Sequence, residues 1–174
     1  MRRTGLLALL LLPAACRPEP EPPQETPARP SPPFATRREH ALSIKPTALL
    51  AADLDGDGRP DLLAAGAETG ELLVWRGGAG ALGEPDRTVK VGGWPLAPLA
   101  VPAAPGGRVL VAVASRERKQ LAFHDLFGAD PEKPVLRIDL GSVPRALAVG
   151  DLARDGVPDV AVACDDGRLS LIHI

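Results

Sequence analysis

Short apolar runs alternate with turn-forming residues along most of the chain. From residue 47 onward the runs are TALLAA (47–52), DLLAAGA (61–67), ELLVW (71–75) and, more weakly, RTVKV (87–91). Each run is bounded by Gly, Pro or Asp and is shorter than the roughly ten residues that a helix usually needs. The pattern therefore predicts β-strands, even though the runs are rich in Ala and Leu.

The strand pattern repeats with a period of 49 residues. The stretch PTALLAADLDGDGRPDLLAAG (46–66) aligns with PLAPLAVPAAPGGRVLVAVAS (95–115) and with PRALAVGDLARDGVPDVAVAC (144–164). Four strands in about 50 residues, apolar on both faces, are typical of a β-propeller blade. We therefore predict an all-β fold built from four-stranded antiparallel blades, with a parallel solenoid of strands as the alternative.

The period places the blades at about 46–94, 95–143 and 144–174, the last of them incomplete. Closed propellers have about four to eight blades, so we expect the chain to be a fragment of a larger propeller. The segment REHALSIKP (38–46) aligns one period before TVKVGGWP (88–95) and predicts the outer strand of a further blade.

The last six residues, LSLIHI (169–174), fit two interpretations. Their alternation of apolar and polar positions would form a third strand of the last blade. They are also the translation of CTGTCTCTTATACACATC, a transposon end used in sequencing libraries, which suggests that the reading frame runs into adapter sequence after Arg168. Sequencing the genomic locus across the codon for Arg168 decides between the two.

The N-terminal residues 1–16 have the features of an export signal. A basic start (MRR) precedes the apolar run LLALLLL (6–12) and small residues before Cys16. The run is too short to span a bilayer but suits a signal peptide. The stretch resembles a bacterial lipoprotein signal, apart from Pro13 where Leu is usual, and this resemblance implies a lipid on Cys16. An ordinary secretory signal cleaved near Ala15 is the alternative.

Residues 17–36 are rich in proline and show no apolar periodicity. Such a segment predicts a disordered, semi-rigid linker that would hold the folded part, residues 37–174, away from a membrane. Because the residue after Cys16 is not Asp, the resemblance to lipoproteins implies the outer membrane or the cell surface of a bacterium.

Charge and reactive residues narrow the possible functions. The net charge of −2 gives no basic surface for nucleic acid. The chain contains no GxSxG or HExxH motif, and His40, His124 and His173 are scattered, so we expect no enzyme activity. Cys164 falls in a predicted strand, where a buried apolar role is expected, and no disulfide with Cys16 is predicted.

The loop DLDGDGRPD (53–61) carries four closely spaced carboxylates. Oxygen ligands at this spacing suit calcium, which takes about six to eight of them. Gly56 and Gly58 allow the positive φ that lets such a loop wrap around an ion. A bound ion would neutralise the four negative charges, so we expect the loop to open when the ion is absent. The predicted ligands are the side chains of Asp53, Asp55, Asp57 and Asp61 and the backbone carbonyl of Arg59.

Two other interpretations of this loop compete with a calcium-bearing blade. One is an acidic surface turn without metal. The other is an EF-hand loop, which needs Glu at its twelfth position and helices on both sides. Ala64 stands at that position, inside an apolar run that predicts a strand.

The other two copies of the loop are poorer in carboxylates. The middle copy, PAAPGGRVL (102–110), has none, so metal is not a condition of the blade. The third copy, DLARDGVPD (151–159), has Ala153 and Arg154 in place of a carboxylate and a glycine. It predicts a weaker second calcium site formed by Asp151, Asp155 and Asp159.

Two stretches, ALLAADLDGDGRPDLLAAG (48–66) and GAGALGEPDRTVKVGGWP (78–95), resemble the FG-GAP/VCBS repeats of integrin-α-like β-propellers. Leu82 replaces the usual aromatic residue, whereas Phe127 and Gly128 stand near that place in the second copy. The resemblance covers roughly residues 40–174. It implies structural calcium loops and binding surfaces that vary among members.

These features together predict an exported, lipid-anchored, calcium-binding β-propeller repeat protein that acts as a binding or interaction module at the bacterial cell envelope. The expected partners are a protein or carbohydrate ligand and the membrane through Cys16, with no nucleic acid. A structural envelope scaffold and a fragment of a larger propeller enzyme, whose active site lies elsewhere, are the alternatives.

Overall fold

The computed structural model describes residues 39–78, 83–102 and 108–174. The predicted signal peptide (1–16) with its Cys16 and the predicted linker (17–36) lie outside these residues. None of the described residues forms a helix long and apolar enough to cross a membrane.

Eleven strands in the described residues form three antiparallel sheets, in which neighbours along the chain pair with each other. We call them the first, second and third blades. The all-β prediction is confirmed, and antiparallel pairing rules out the parallel solenoid for these residues. The strands are β1 (Pro46–Ala52), β2 (Asp61–Gly66), β3 (Glu71–Trp75) and β4 (Arg87–Lys90) in the first blade, β5 (Pro95–Pro102), β6 (Val109–Ser115), β7 (Gln120–His124) and β8 (Leu136–Asp139) in the second, and β9 (Pro144–Gly150), β10 (Asp159–Cys164) and β11 (Leu169–Ile172) in the third.

The 49-residue period of the sequence is the period of the structure. The opening strands β1, β5 and β9 begin 49 residues apart, and so do β3, β7 and β11. The strand β5 packs beside both β1 and β9, so the opening strands of successive blades lie next to each other. This is the stacking expected when similar sheets are arranged around a common axis.

Both faces of β2 and β6 are buried over most of their length, which explains their nearly continuous apolar runs. In β2, Leu63 and Ala65 face the second blade, whereas Ala64 lies in a separate cluster on the opposite face. In β6, Val111 packs towards the first blade and Ala112 towards the third. Successive residues of a strand point to opposite faces, so a sheet packed between two others must be apolar at every position.

The second and third blades share their own apolar cluster. Phe123 and Leu121 of β7 pack with Val160 and Val162 of β10 and with Cys164. The expected burial of Cys164 is confirmed, since it is a free thiol that is only 8% exposed. Burying each large apolar side chain contributes about 1.5–3 kcal/mol to the free energy of folding. Leu and Val side chains can therefore form the core between the sheets although aromatic residues are few.

Residues 39–45, which the sequence assigns to the outer strand of a further blade, form no strand in this chain. No strand of the described residues pairs with them, so their backbone has no ladder to join. Ile44 is nevertheless buried and packs against Ala64, Leu73 and Trp75 on the outer face of the first blade. Leu42 packs against the same cluster, and Lys45 forms an ion pair with Glu68 at 3.2 Å, so side-chain contacts and not sheet pairing hold this segment.

The segment Leu169–Ile172 pairs with β10 as an antiparallel strand. This pairing agrees with the interpretation of the final residues as a third strand of the last blade. Leu169 and Leu171 of this strand are exposed.

His124 ends β7 and is buried. Its Nδ1 lies 3.0 Å from the carbonyl oxygen of Pro131, the contact expected of an N–H donor. Burial lowers the pKa of His124 and nearby Arg137 adds to this effect, although the bond to Pro131 opposes it. The imidazole is therefore held in its neutral form.

We predict that His124 makes the fold sensitive to mild acid. Because its pKa in the folded chain lies below the ordinary value of 6.5, the unfolded chain takes up the proton first as the pH falls. The stability due to neutral His124 is complete above pH 6.5 and is lost as the pH falls through the lowered pKa. Urea unfolding at pH 7.5 and 5.0, with chelator throughout, should show a smaller loss of stability in His124→Asn than in the unmodified chain. Equal losses would contradict this role.

Candidate metal centre

The two ends of the loop between β1 and β2 lie directly opposite each other in the sheet. Ala52 is the Cα partner of Asp61, so the chain leaves β1 and re-enters β2 at one point. Gly56 and Gly58 have φ angles of +83° and +85°, a region that favours glycine. The eight residues in between therefore curl back on themselves instead of extending away from the sheet.

Asp53 holds the loop closed from inside. Its Oδ1 accepts a hydrogen bond from the N–H of Gly56 at 2.8 Å, and its Oδ2 accepts one from Gly58 at 2.9 Å. Asp side chains commonly bind backbone N–H groups a few residues further along the chain. The backbone donors thus compensate part of the negative charge of the loop.

Asp61 anchors the loop to the blade. It is only 1% exposed, and its Oδ2 accepts the N–H of Leu54 at 2.9 Å. Its Oδ1 accepts the N–H of Gly77, just after β3, at 2.8 Å. A buried carboxylate is tolerated when it is hydrogen-bonded in this way. Asp61 therefore joins the loop, β2 and the end of β3.

One carboxylate oxygen from each of Asp53, Asp55 and Asp61 lies within 4.8 Å of the other two. Calcium binds oxygens at about 2.3–2.6 Å, so opposite ligands of one ion are about 5 Å apart. The three oxygens are therefore close enough to share one ion. Carboxylate oxygens are also the hard ligands that calcium prefers, so this set of residues fits a calcium ion.

Asp57 and Arg59 lie in the same loop, but Asp57 is not part of this group of oxygens. Its Oδ1 accepts the N–H of Arg59 at 2.8 Å, and both residues are exposed. The structure thus brings together three of the four predicted carboxylates. The roles predicted for Asp57 and for the Arg59 carbonyl stay predictions.

A positive charge that the sequence pattern did not indicate also lies at the site. The Nε of Arg76 lies 3.2 Å from Oδ2 of Asp55, whose other oxygen accepts the N–H of Asp57 at 3.1 Å. Arg76 is 21 residues from Asp55 in the chain. The register Leu62↔Trp75 places it beside Asp61, so the pairing of β2 with β3 was the signal that could have found it.

The corresponding loop of the third blade has similar hydrogen bonds without the cluster. Asp151 accepts the N–H groups of Asp155 and Gly156, both at 3.1 Å. Asp155 accepts Val157, as Asp57 accepts Arg59. Among the described residues, Asp151, Asp155 and Asp159 do not form a group that could hold one ion.

The reason for this difference lies at two positions. Ala153 offers no oxygen where the first blade has Asp55. Arg154 takes the place of Gly56 with a φ of +60°, which is uncommon for a side chain of this size. Backbone bonds to Asp151 hold this loop, as bonds to Asp53 hold the loop of the first blade.

The buried carboxylate of the third blade is held in its charged form. Burial alone would raise the pKa of Asp159, but bonds from the N–H of Ala153, from His173 and from the N–H of Leu152 outweigh it and lower the pKa. The Nδ1 of His173 lies 2.8 Å from Oδ1 of Asp159. This contact occupies the oxygen that corresponds to the one Gly77 binds in the first blade.

A cleft of about 400 Å³ lies between the metal loop and the second blade. Arg108 and Asp125 form an ion pair at 2.7 Å on one wall. The loop side of the cleft includes Asp55, so the candidate metal centre borders this space. Its lining residues are Leu54, Asp55 and Gly56 on the loop and Arg108, Val109, Asp125, Phe127, Gly128 and Ala129 on the second blade.

Comparison with known proteins identifies the repeat. Residues 46–81 match the family described as "FG-GAP repeat", so such a repeat is present in the first blade. This range contains the whole candidate metal loop. A search of curated proteins finds no match.

Two solved structures share the fold. They are crystal structures of BBS1N in complex with ARL6DN, one soaked with lead and one with mercury. Their TM-scores are 0.54 and 0.56, at 19% and 16% identity, over 72% and 76% of this chain. The matches cover 36% and 42% of the BBS1N chains, so this chain spans about two fifths of their length. At such identity the likeness shows the fold alone, and it confirms propeller-type blades.

We predict that Asp61 stabilises the first blade even without metal. Asp61→Ala removes the acceptor for the N–H groups of Leu54 and Gly77, and each unpaired buried donor costs about 1–3 kcal/mol. Urea unfolding in chelator should therefore show a loss of about 2–5 kcal/mol. The exposed Asp57→Ala in the same loop is the control, with an expected loss below about 1 kcal/mol. Similar losses for both variants would contradict the anchoring role.

Proposed function

We propose that this chain, which carries an FG-GAP repeat in a propeller-type array of blades, is a calcium-braced interaction module held at the bacterial cell envelope by a lipid on Cys16. The observation that carries the calcium part is the convergence of oxygens from Asp53, Asp55 and Asp61. The envelope part rests on the N-terminal sequence.

Calcium would be held by these three carboxylates, with Asp57 and the Arg59 carbonyl as the further ligands that the sequence suggests. Among the described residues, the carboxylates of the loop form one ion pair, with the guanidinium of Arg76. The ion would supply the positive charge that the other carboxylates lack. Charge neutralisation of this kind stabilises the folded loop by the free energy of binding. The role is structural, because the site positions no reacting group.

An interaction role agrees with the surface next to the site. The cleft beside the metal loop combines charged walls with the ring of Phe127 and is large enough for a few sugar units or a peptide segment. BBS1N, which shares the fold, was crystallised in complex with another protein. A protein or carbohydrate ligand therefore suits the chain better than nucleic acid, given its net charge of −2.

We assign no catalytic role to the histidines. His124 is buried and bound to Pro131, and His173 is paired with Asp159. His40 is exposed at the start of the described residues. A scaffold role in the envelope stays the alternative to ligand binding.

Asp55 is the residue with which we test calcium binding. Asp55→Asn keeps the side-chain size but loses a charge at the cluster, so we expect calcium affinity to fall on the order of tenfold or more. At saturating calcium a tenfold loss removes about 1.4 kcal/mol of calcium-dependent stabilisation, which is a shift of several degrees in the melting temperature. Thermal unfolding in calcium and in chelator measures it.

The control is Asp130→Asn, which changes an exposed carboxylate of the second blade outside both acidic loops. Its calcium-dependent shift should equal that of the unmodified chain. An unchanged shift in Asp55→Asn would remove the proposed site.

The lipid anchor is tested by Cys16→Ser. Without the thiol no lipid can be attached, so the protein should move from the membrane fraction to the soluble exported fraction. Fractionation of cells that express each form measures this, and Cys164→Ser, at the buried cysteine, is the control. Continued membrane association of Cys16→Ser would overturn the anchor.

A further inference from the structure

Arg76 connects the candidate metal loop to the second blade. Its Nε contacts Oδ2 of Asp55 at 3.2 Å, and its guanidinium carbon lies 4.9 Å from the ring centroid of Phe127. The backbone N–H of Arg76 donates to Asp86 at 2.8 Å, which fixes where the side chain starts. One side chain thus contacts both the loop of the first blade and an aromatic ring of the second.

The ion pair is half-shielded from water. The side chain of Asp55 is 15% exposed, whereas that of Arg76 is 50% exposed. Asp55 is also the only cluster carboxylate for which an ion pair is found among the described residues. A cation that binds at the cluster would therefore come close to the guanidinium of Arg76, which is already paired with Asp55. Two positive groups on one carboxylate repel each other, so they compete.

We propose that Arg76 sets the calcium affinity of the first-blade loop by acting as an exchangeable counter-charge on Asp55. In the metal-free protein the guanidinium neutralises Asp55. When calcium binds, the guanidinium gives up that carboxylate and stays on the ring of Phe127. This inference rests on the proposed calcium function of the loop.

The ring can hold the released group. A guanidinium is planar and stacks on aromatic faces, and a cation over a ring within about 6 Å is attracted to it. Arg87 lies over the same ring at 5.2 Å and donates from Nη1 to the carbonyl of Leu126 at 3.2 Å. The ring of Phe127 therefore contacts two arginines. Arg76 also contacts the candidate metal loop, and Arg87 is also bound to the second blade.

The size of the effect follows from the ion pair. Partly exposed pairs of this kind change an equilibrium by a small factor, so removal of the guanidinium should raise calcium affinity about two- to fivefold. A rise in calcium affinity distinguishes this role from a purely structural one, because a substitution that only damaged the loop would lower the affinity.

Isothermal titration of calcium chloride into the metal-free full chain tests the proposal. Arg76→Gln should bind calcium about two- to fivefold more tightly than the unmodified chain. Arg76→Lys keeps the charge and should stay within about twofold of it, as should the matched control Arg87→Gln, which alters the other arginine on the same ring. Thermal unfolding in chelator verifies that each variant is folded.

The outcomes separate this inference from the proposed function. If the unmodified chain binds calcium and Arg76→Gln binds it no more tightly than Arg87→Gln does, Arg76 has no such role and the calcium function stands. If only Arg76→Gln binds calcium, the competition is supported and calcium binding by the unmodified chain is overturned. If neither binds, both proposals are overturned.

Discussion

The carboxylate that opens the second strand of a blade is the constraint on which the candidate site depends. Asp61 and Asp159 are buried, and each accepts N–H groups from the loop that precedes it. A buried charge without such partners would cost several kcal/mol. The loop must therefore turn its backbone towards the start of the strand, and this turn also determines where its other carboxylates lie. The position of Asp53 and Asp55 around a common centre follows from the anchoring of the strand.

Comparison of the two acidic loops separates what the fold needs from what a cation needs. Both loops have an aspartate at the first, fifth and ninth positions, with similar bonds to backbone N–H groups. Only the first has a carboxylate at the third position, where the other has Ala153. The repeated aspartates thus stabilise the loop, whereas Asp55 completes the cluster. A count of carboxylates cannot distinguish these roles, because all four are Asp residues of one nine-residue loop.

The strands could be predicted from the sequence because each depends on local features. Short apolar runs bounded by turn residues indicated β1, β2 and β3, and the period of 49 residues transfers them to the other blades. The outer strands β4 (RTVK) and β8 (LRID) carry a weaker pattern, because most of their residues are exposed or only half-buried. The ion pair of Arg76 with Asp55 was not predicted, because it depends on the register of β2 against β3. The contact of Arg76 with Phe127 depends in addition on how two blades pack. The outer strand predicted over residues 38–46 stays a prediction, because its partner strands would belong to a further blade that the described residues do not include.

A guanidinium is suited to a site whose charge changes when an ion binds. Without calcium, the cluster would place three carboxylates at the edge of an interface between two blades, and repulsion would weaken that interface. Arg76 supplies a positive charge there, and the ring of Phe127 gives its planar group a second contact that does not depend on Asp55. The compact ammonium of a lysine is more strongly hydrated and lacks the planar face that stacks on a ring.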